Sequence, residues 1–395
     1  MRTATFTVIV AAGLCSATAM AQPADPKPLW PRVQKVCDRT ADTMPNEIAT
    51  RIAQTALDEH YRFGGHQVDA NGRLFRFGLV EAEQEESDGD DDEARLGDLG
   101  WWQVLKYWRA LHGSNARVAA RLRVWGYEEA SASRNDDKPD AAGGDHAPLH
   151  GETAVADAIK IPAAYLIKLG KHAEDQDTAE VLRESAFRAA IVDNPWSAAF
   201  ISYVVKIAAL GDTPNLPHVQ DFSKTRFPFS SAHRHYIFAA FKSSMADAAI
   251  GQNAPGDAHF YRACPLSTTK PRIGDLICYH REPSLSAAGD GAVRDRILSE
   301  ALSGQSETSV SRNHCDVVVH IDRKAQKMYV VGGNVQQSVT VKKLRLRRDL
   351  KFADNRNGCG DWTLPPPSKG TPVGPGLMQN CSLNEKKWFV LLQMR

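Results

Sequence analysis

The chain has no apolar run long enough to cross a bilayer anywhere in its 395 residues; a spanning helix needs about 20 such residues. Nor is there an excess of one charge. Lys and Arg number 48 against 47 Asp and Glu, a formal net charge of +1, so nothing draws the chain to nucleic acid. The cysteines never form a Cys-x-x-Cys pair or another zinc spacing, so no metal or other cofactor is expected. A Gly-x-Ser-x-Gly elbow is also missing, which argues against an α/β-hydrolase. No internal repeat is visible. With 43% apolar residues there is ample material for a packed core.

What is present begins with a secretory signature. Arg2 supplies the positive end, Phe6 to Leu14 a short apolar stretch, and Ala19-Met20-Ala21 the small residues before a cleavage ahead of Gln22. Cys15 follows Gly13-Leu14, a poor lipidation signal, so no membrane anchor is expected. Six cysteines remain beyond it: Cys37, Cys264, Cys278, Cys315, Cys359 and Cys381. An even count fits disulfides in an oxidising compartment, and the expected location is periplasmic or secreted. Cys278 and Cys315 fall on what should be neighbouring strands and are a plausible pair. Cys359 and Cys381 are candidates to close a loop in the tail.

The pattern divides the chain into a signal (1–21), a polar arm (22–44), a helical region (45–130), a flexible insert (131–150), a core (151–346) and a Cys/Pro-containing tail (347–395). Within the helical region, Asn46 to Gly64 carries apolar residues at helical spacing and stops at Gly64-Gly65. Glu81 to Glu93 is an acidic run. It fails as a calcium loop, because Glu93 stands where glycine is needed and Leu99 where a bidentate glutamate belongs. Gly100 to Leu111 reads as a helix with Trp101, Leu105 and Trp108 on one core-facing side. Two more helical stretches follow, at Ala154 to Lys171 and Asp177 to Val192. Helices at Pro195 to Leu210 and Ser231 to Ala248 precede strands at Asp275 to His280, His314 to Asp322, Met328 to Gly332 and Ser338 to Leu346. A Gly- and Ser-rich insert, 282–312, separates the first two strands. A final apolar run, Trp388 to Leu392, lies in the tail.

The chemistry-bearing stretch is Asn194-Pro195-Trp196-Ser197. Asn194 suits a helix cap and Pro195 a first helical position, which puts Ser197 in the first turn. Free N–H groups there favour negative charge. A serine hydroxyl still needs a positioned base. His314 opens an alternating strand, His314-Cys315-Asp316-Val317-Val318-Val319-His320. A hairpin centred near Lys324 sets His314 opposite about Asn334, whose carboxamide could orient the imidazole. Gly332-Gly333 lets the backbone crowd that place. His233 and His235, two residues apart on a helix, face different directions, so one could line the cleft and a shared metal site is not expected.

These segments occur in the order seen in NlpC-type and CHAP-type amidases of the papain-like superfamily. More closely, the chain resembles the bacterial domain-of-unknown-function family 2272. The stretches that carry this resemblance are Asp58 to Gly65, Lys106 to Trp108, Pro195 to Ser202, Ser231-Ala232-His233, Gly274-Asp275-Leu276, His314-Cys315-Asp316 and Gly333-Asn334-Val335. The resemblance implies an α+β fold. A papain-like core would set a nucleophile-position helix on a small antiparallel sheet, beside an N-terminal helical region. It puts Ser197 in the nucleophile's place, where those enzymes carry cysteine. His314 takes the base's place and Asn334 that of the orienting residue, with Trp196, His233 and Asp316 against the substrate. The implied activity is amide or ester hydrolysis on a peptidoglycan stem peptide or related cell-wall ligand. The alternative is a non-catalytic module that binds such a peptide on the same scaffold. A third reading is a structural secreted domain whose cleft is filled by its own insert, Pro283 to Ser311.

Overall fold

A computed structural model of the chain describes residues 30–81, 100–111, 178, 191–210, 227–248, 260–281, 290–303, 312–353 and 382–395. Among the described residues the helices are α1 (Trp30–Ala41), α2 (Glu47–Arg62), α3 (Gly100–Arg109), α4 (Ser197–Leu210), α5 (His233–Ala248) and α6 (Asp290–Ser303). The strands are β1 (Gln67–Val68), β2 (Leu74–Arg76), β3 (Tyr261–Pro265), β4 (Leu276–His280), β5 (Asn313–Asp322), β6 (Lys327–Val335), β7 (Ser338–Arg345) and β8 (Trp388–Met394). The fold is mixed α+β. The eight strands form one sheet in the order β2-β1-β7-β6-β5-β4-β8-β3.

Local sequence explains most of these elements. The Asn46 side chain accepts from the Ala49 N–H at 2.8 Å and caps α2. Gly64 and Gly65, at φ of +68° and +78°, turn the chain away at its other end. β4 to β7 run as an antiparallel meander. The β6–β7 hairpin closes on Gln336 and Gln337, both at positive φ, the turn whose twist matches the flanking strands. Alternation along the strands then sorts two cores. Cys278, Cys315, Val317 and Val331 join α2, α3, α4, α5 and α6 on one side. Ile277, Val318, Val330 and Leu344 pack with Val33 and Cys37 of α1 on the other. Trp101, Leu105 and Trp108 are all buried in the first core, so α3 is a core helix.

Several elements differ from the sequence expectation. The sheet is larger than expected and is not wholly antiparallel, because β1 pairs with β7 in parallel. Residues 30–41, expected in a polar arm, form α1, whose Trp30 Nε1–H donates to Asp295 at 2.7 Å. The expected Gly/Ser-rich insert carries α6. That helix packs on α5 and β8 through Val293, Ile297 and Leu298, so this part of the insert belongs to the core. The run assigned to the tail is β8, which lies inside the sheet between β4 and β3. Its partner β3 was not foreseen. The signal segment, most of the acidic run, the 131–150 insert, the 154–171 helix and most of the 177–192 helix lie outside the described residues.

Two disulfides lie among the described residues. Cys278–Cys315 joins directly paired residues of β4 and β5, as the sequence suggested. Cys37–Cys264 joins α1 to β3. Cys15, Cys359 and Cys381 lie outside the described residues. Among the described residues, no helix is long and apolar enough to cross a membrane.

Candidate active site

Helix α4 begins two residues later than expected. The Phe200 N–H bonds to the Trp196 carbonyl at 2.9 Å, so Trp196 is the capping residue and Ser197 the first helical one. This leaves the N–H groups of Ser197, Ala198 and Ala199 without a partner inside the helix. Trp196 itself is fully buried, stacked on Phe63 and packed on Tyr107, with its indole N–H donating to Glu81. Expected to contact substrate, it instead anchors the start of α4. Ser197, one residue on, is partly exposed.

The Ser197 hydroxyl meets a histidine, though not the one expected. Its Oγ lies 2.7 Å from Nε2 of His233, the first residue of α5. The other ring nitrogen, Nδ1, contacts the Tyr236 hydroxyl one turn along the same helix. Ser202 holds the two helices in this relation. Its hydroxyl donates to the Ser230 carbonyl at 3.0 Å and accepts the Ser230 N–H at 3.1 Å. His233 is buried, and that burial, reinforced by the nearby His314, holds its pKa well below the ordinary histidine value. It is therefore neutral near pH 7, the state that can accept a proton.

His314 lies behind His233, with ring centroids 5.2 Å apart. Its Nε2 is 3.0 Å from Asp316 Oδ1, and its buried Nδ1 has no hydrogen-bond partner among the described residues. The other oxygen of Asp316 accepts from Lys342 Nζ at 2.6 Å. All three residues are within 1% of complete burial. Burial alone would raise the Asp316 carboxyl, but Lys342 and His314 together hold it well below the usual carboxylate range. With both oxygens engaged inside the protein, Asp316 does not offer the substrate contact expected of it.

This ion pair spans a strand. Asp316 is on β5 and Lys342 on β7, with β6 between them. Gly332 of β6 makes the crossing possible. A Cβ at that position would lie 1.9 Å from Asp316 Oδ1 and 2.9 Å from His314 Nε2. A Cβ at Gly333 would lie 2.5 Å from Phe200, so the next glycine lets α4 sit down on the sheet.

Asn334 does not steady His314. The register Val317↔Val331, counted onward, does set Asn334 opposite His314, but the β5–β6 ladder ends at that pair. The β6–β7 pairing slips between Gly332 and Val335, and Asn334 takes a left-handed φ of 53°. Asparagine tolerates that conformation, and such a bulge re-aims side chains. No hydrogen bond joins Asn334 to His314 among the described residues; Asp316 holds that ring instead.

Burial pushes His314 down to about 4 from the ordinary 6.5, against the pull of Asp316 and with help from Lys342 and Arg281. An unfolded histidine takes up a proton near pH 6.5, whereas His314 resists until about pH 4. Between those values the unfolded chain binds more protons, so stability falls as the pH drops through the window. The gap corresponds to about 3 kcal/mol. Asp275, pushed up to about 6 by burial, acts in the opposite sense, because the folded state keeps a proton that the unfolded carboxyl has lost. The comparison is therefore with His314→Gln. Denaturant titrations at pH 7 and pH 4 should show wild type losing about 3 kcal/mol more than the variant. Parallel losses would refute the assignment.

No curated protein and no solved structure matches the chain. One family model does match, over residues 167–394, more than half of the sequence and a span that includes Ser197, His233, His314, Asp316 and Lys342. The chain belongs to DUF2272, a family described as uncharacterized proteins conserved in bacteria.

Proposed function

We propose that this protein hydrolyses amide or ester bonds, with Ser197 as nucleophile and His233 as general base. The observation that carries the reading is the 2.7 Å contact between Ser197 Oγ and His233 Nε2 at the tip of α4. With Nδ1–H donating to the Tyr236 oxygen, Nε2 is left as an acceptor. Ser197 Oγ attacks the carbonyl carbon and its proton passes to His233 Nε2. The oxygen that becomes negative lies near the free N–H groups of the first turn, each worth about 3 kcal/mol to such an intermediate. His233 returns the proton to the leaving amine or alkoxide, and water reverses the sequence to free the serine. The Asp316 charge, although not in contact with His233, favours the protonated ring.

The helix tip facing a histidine beside the antiparallel strands β4 to β7 supports a papain-like core, here with serine replacing cysteine and the base drawn from a helix. The substrate of this reading is a cell-wall stem peptide or related ligand outside the cytoplasm. The two disulfides fit an oxidising compartment such as the periplasm or the exterior.

One observation favours the second reading, a module that binds such a peptide without cleaving it. The partner of His233 Nδ1 is a phenol rather than a carboxylate, so a protonated ring would lack a counter-charge in contact. A fluorophosphonate probe decides between the two. The expected result is a covalent adduct mapped to Ser197 by peptide mass, and none in Ser197→Ala. An unlabelled protein whose muropeptide binding survives Ser197→Ala would establish the binding module.

A further inference from the structure

Beyond His314, away from Ser197, lies a group of cations with too few anions. Tyr279 of β4 stands opposite His314, with ring centroids 5.2 Å apart. Three cations surround the Tyr279 ring: Lys386 Nζ at 4.9 Å from its centre, the Arg281 guanidinium at 5.2 Å and Lys342 Nζ at 5.7 Å. Arg281 also donates to the Tyr279 hydroxyl at 2.7 Å. Lys342 is matched by Asp316 at 2.6 Å. Neither Lys386 nor Arg281 has a carboxylate partner among the described residues. Lys386 is partly buried, and an ammonium taken from water without a counter-ion is costly. Contact with an aromatic face offsets only part of that cost. Arg281 is exposed, so the group opens to solvent.

We propose that Lys386 and Arg281, mounted on the Tyr279 ring, form a subsite for a carboxylate of the substrate, so that the ligand is an acidic peptide. Its link to a reacting serine rests on the hydrolase reading; the anion binding does not. The guanidinium and the ammonium both lie within 5.2 Å of the centre of one ring, and a carboxylate can take two donors at once. The subsite carries a pH signature. Burial, helped by Lys342 and Arg281 and opposed by Asp316, pushes Lys386 down to about 7. As the pH rises through 7, the ammonium and its hold on an anion are lost.

The test uses the full-length Ser197→Ala protein, in which turnover cannot intervene. N-acetylglutamate, its uncharged diamide and inorganic phosphate are titrated calorimetrically at pH 6 and pH 8.5. N-acetylglutamate is expected to bind at least about tenfold more tightly than the diamide at pH 6, and to weaken at pH 8.5. Adding Lys386→Met or Arg281→Gln should each cost about tenfold. Lys386→Arg should keep the affinity and abolish its pH dependence, since an arginine stays charged. Equal binding of acid and diamide, or indifference to both substitutions, would overturn the proposal. Phosphate binding as tight as that of the acid would overturn its assignment to carboxylate. Acid binding here, with no probe labelling of Ser197 in the wild-type protein, would remove the catalytic reading and leave the subsite standing.

Discussion

His233→Ala is expected to slow fluorophosphonate labelling of Ser197 by about 10²- to 10⁴-fold, the usual worth of a positioned general base. His314→Ala should slow it by about tenfold only. The difference follows from geometry. His233 Nε2 is within hydrogen-bond reach of the hydroxyl, whereas His314 spends its Nε2 on Asp316 and packs on the His233 ring rather than on the serine. Second-order rate constants for labelling, measured for both variants at pH 7.5, check this. Folding can be verified independently by near-ultraviolet circular dichroism. Should His314→Ala be the severely impaired variant, the base would be the strand histidine after all. The Ser197–His233 contact would then belong to a resting arrangement.

The second large effect concerns stability. Lys342→Met is expected to cost about 3–5 kcal/mol, because it leaves the Asp316 carboxylate in a dry interior without its main counter-charge. The contact it removes is 2.6 Å long between residues that are 1% and 0% exposed. The double variant Asp316→Leu/Lys342→Met should recover part of that loss, since a buried pair replaced whole by apolar groups is often close to neutral. Urea midpoints for the single and double variants supply the measurement. A single-variant loss below about 1 kcal/mol, the range of an exposed pair, would show that water reaches Asp316.

Much of this was legible from local pattern. Asn46 and Gly64-Gly65 bracket α2 because capping and left-handed turns are decided within a few residues. The β5–β6 hairpin and the Cys278–Cys315 bridge follow from alternation in strands close in the chain. What escaped depends on contacts across long stretches. β8 enters the sheet more than 100 residues after its neighbours β3 and β4, and no periodicity announces an insertion out of chain order. α1 shows its Trp30, Val33, Cys37 spacing only faintly, amid Pro and charged residues. At the site, Ser197 at a helix tip and a His314–Asp316 strand facing Gly332-Gly333 were readable. Which histidine meets the serine was not, since His233 and His314 are both buried within one cluster. Asn334 failed for a smaller reason. One residue in a left-handed conformation ended the alternation that the counting assumed.

The two bridges have a bearing on how the chain matures. From Cys37 onward, each described bond joins a cysteine to the next one along the sequence, 37 to 264 and then 278 to 315. An oxidase acting on thiols in their order of emergence would form both bonds at the first attempt. Strict dependence on an isomerase would not be needed for either. The Cys37 thiol waits through 227 residues of synthesis for its mate, with no other cysteine arriving in between to capture it.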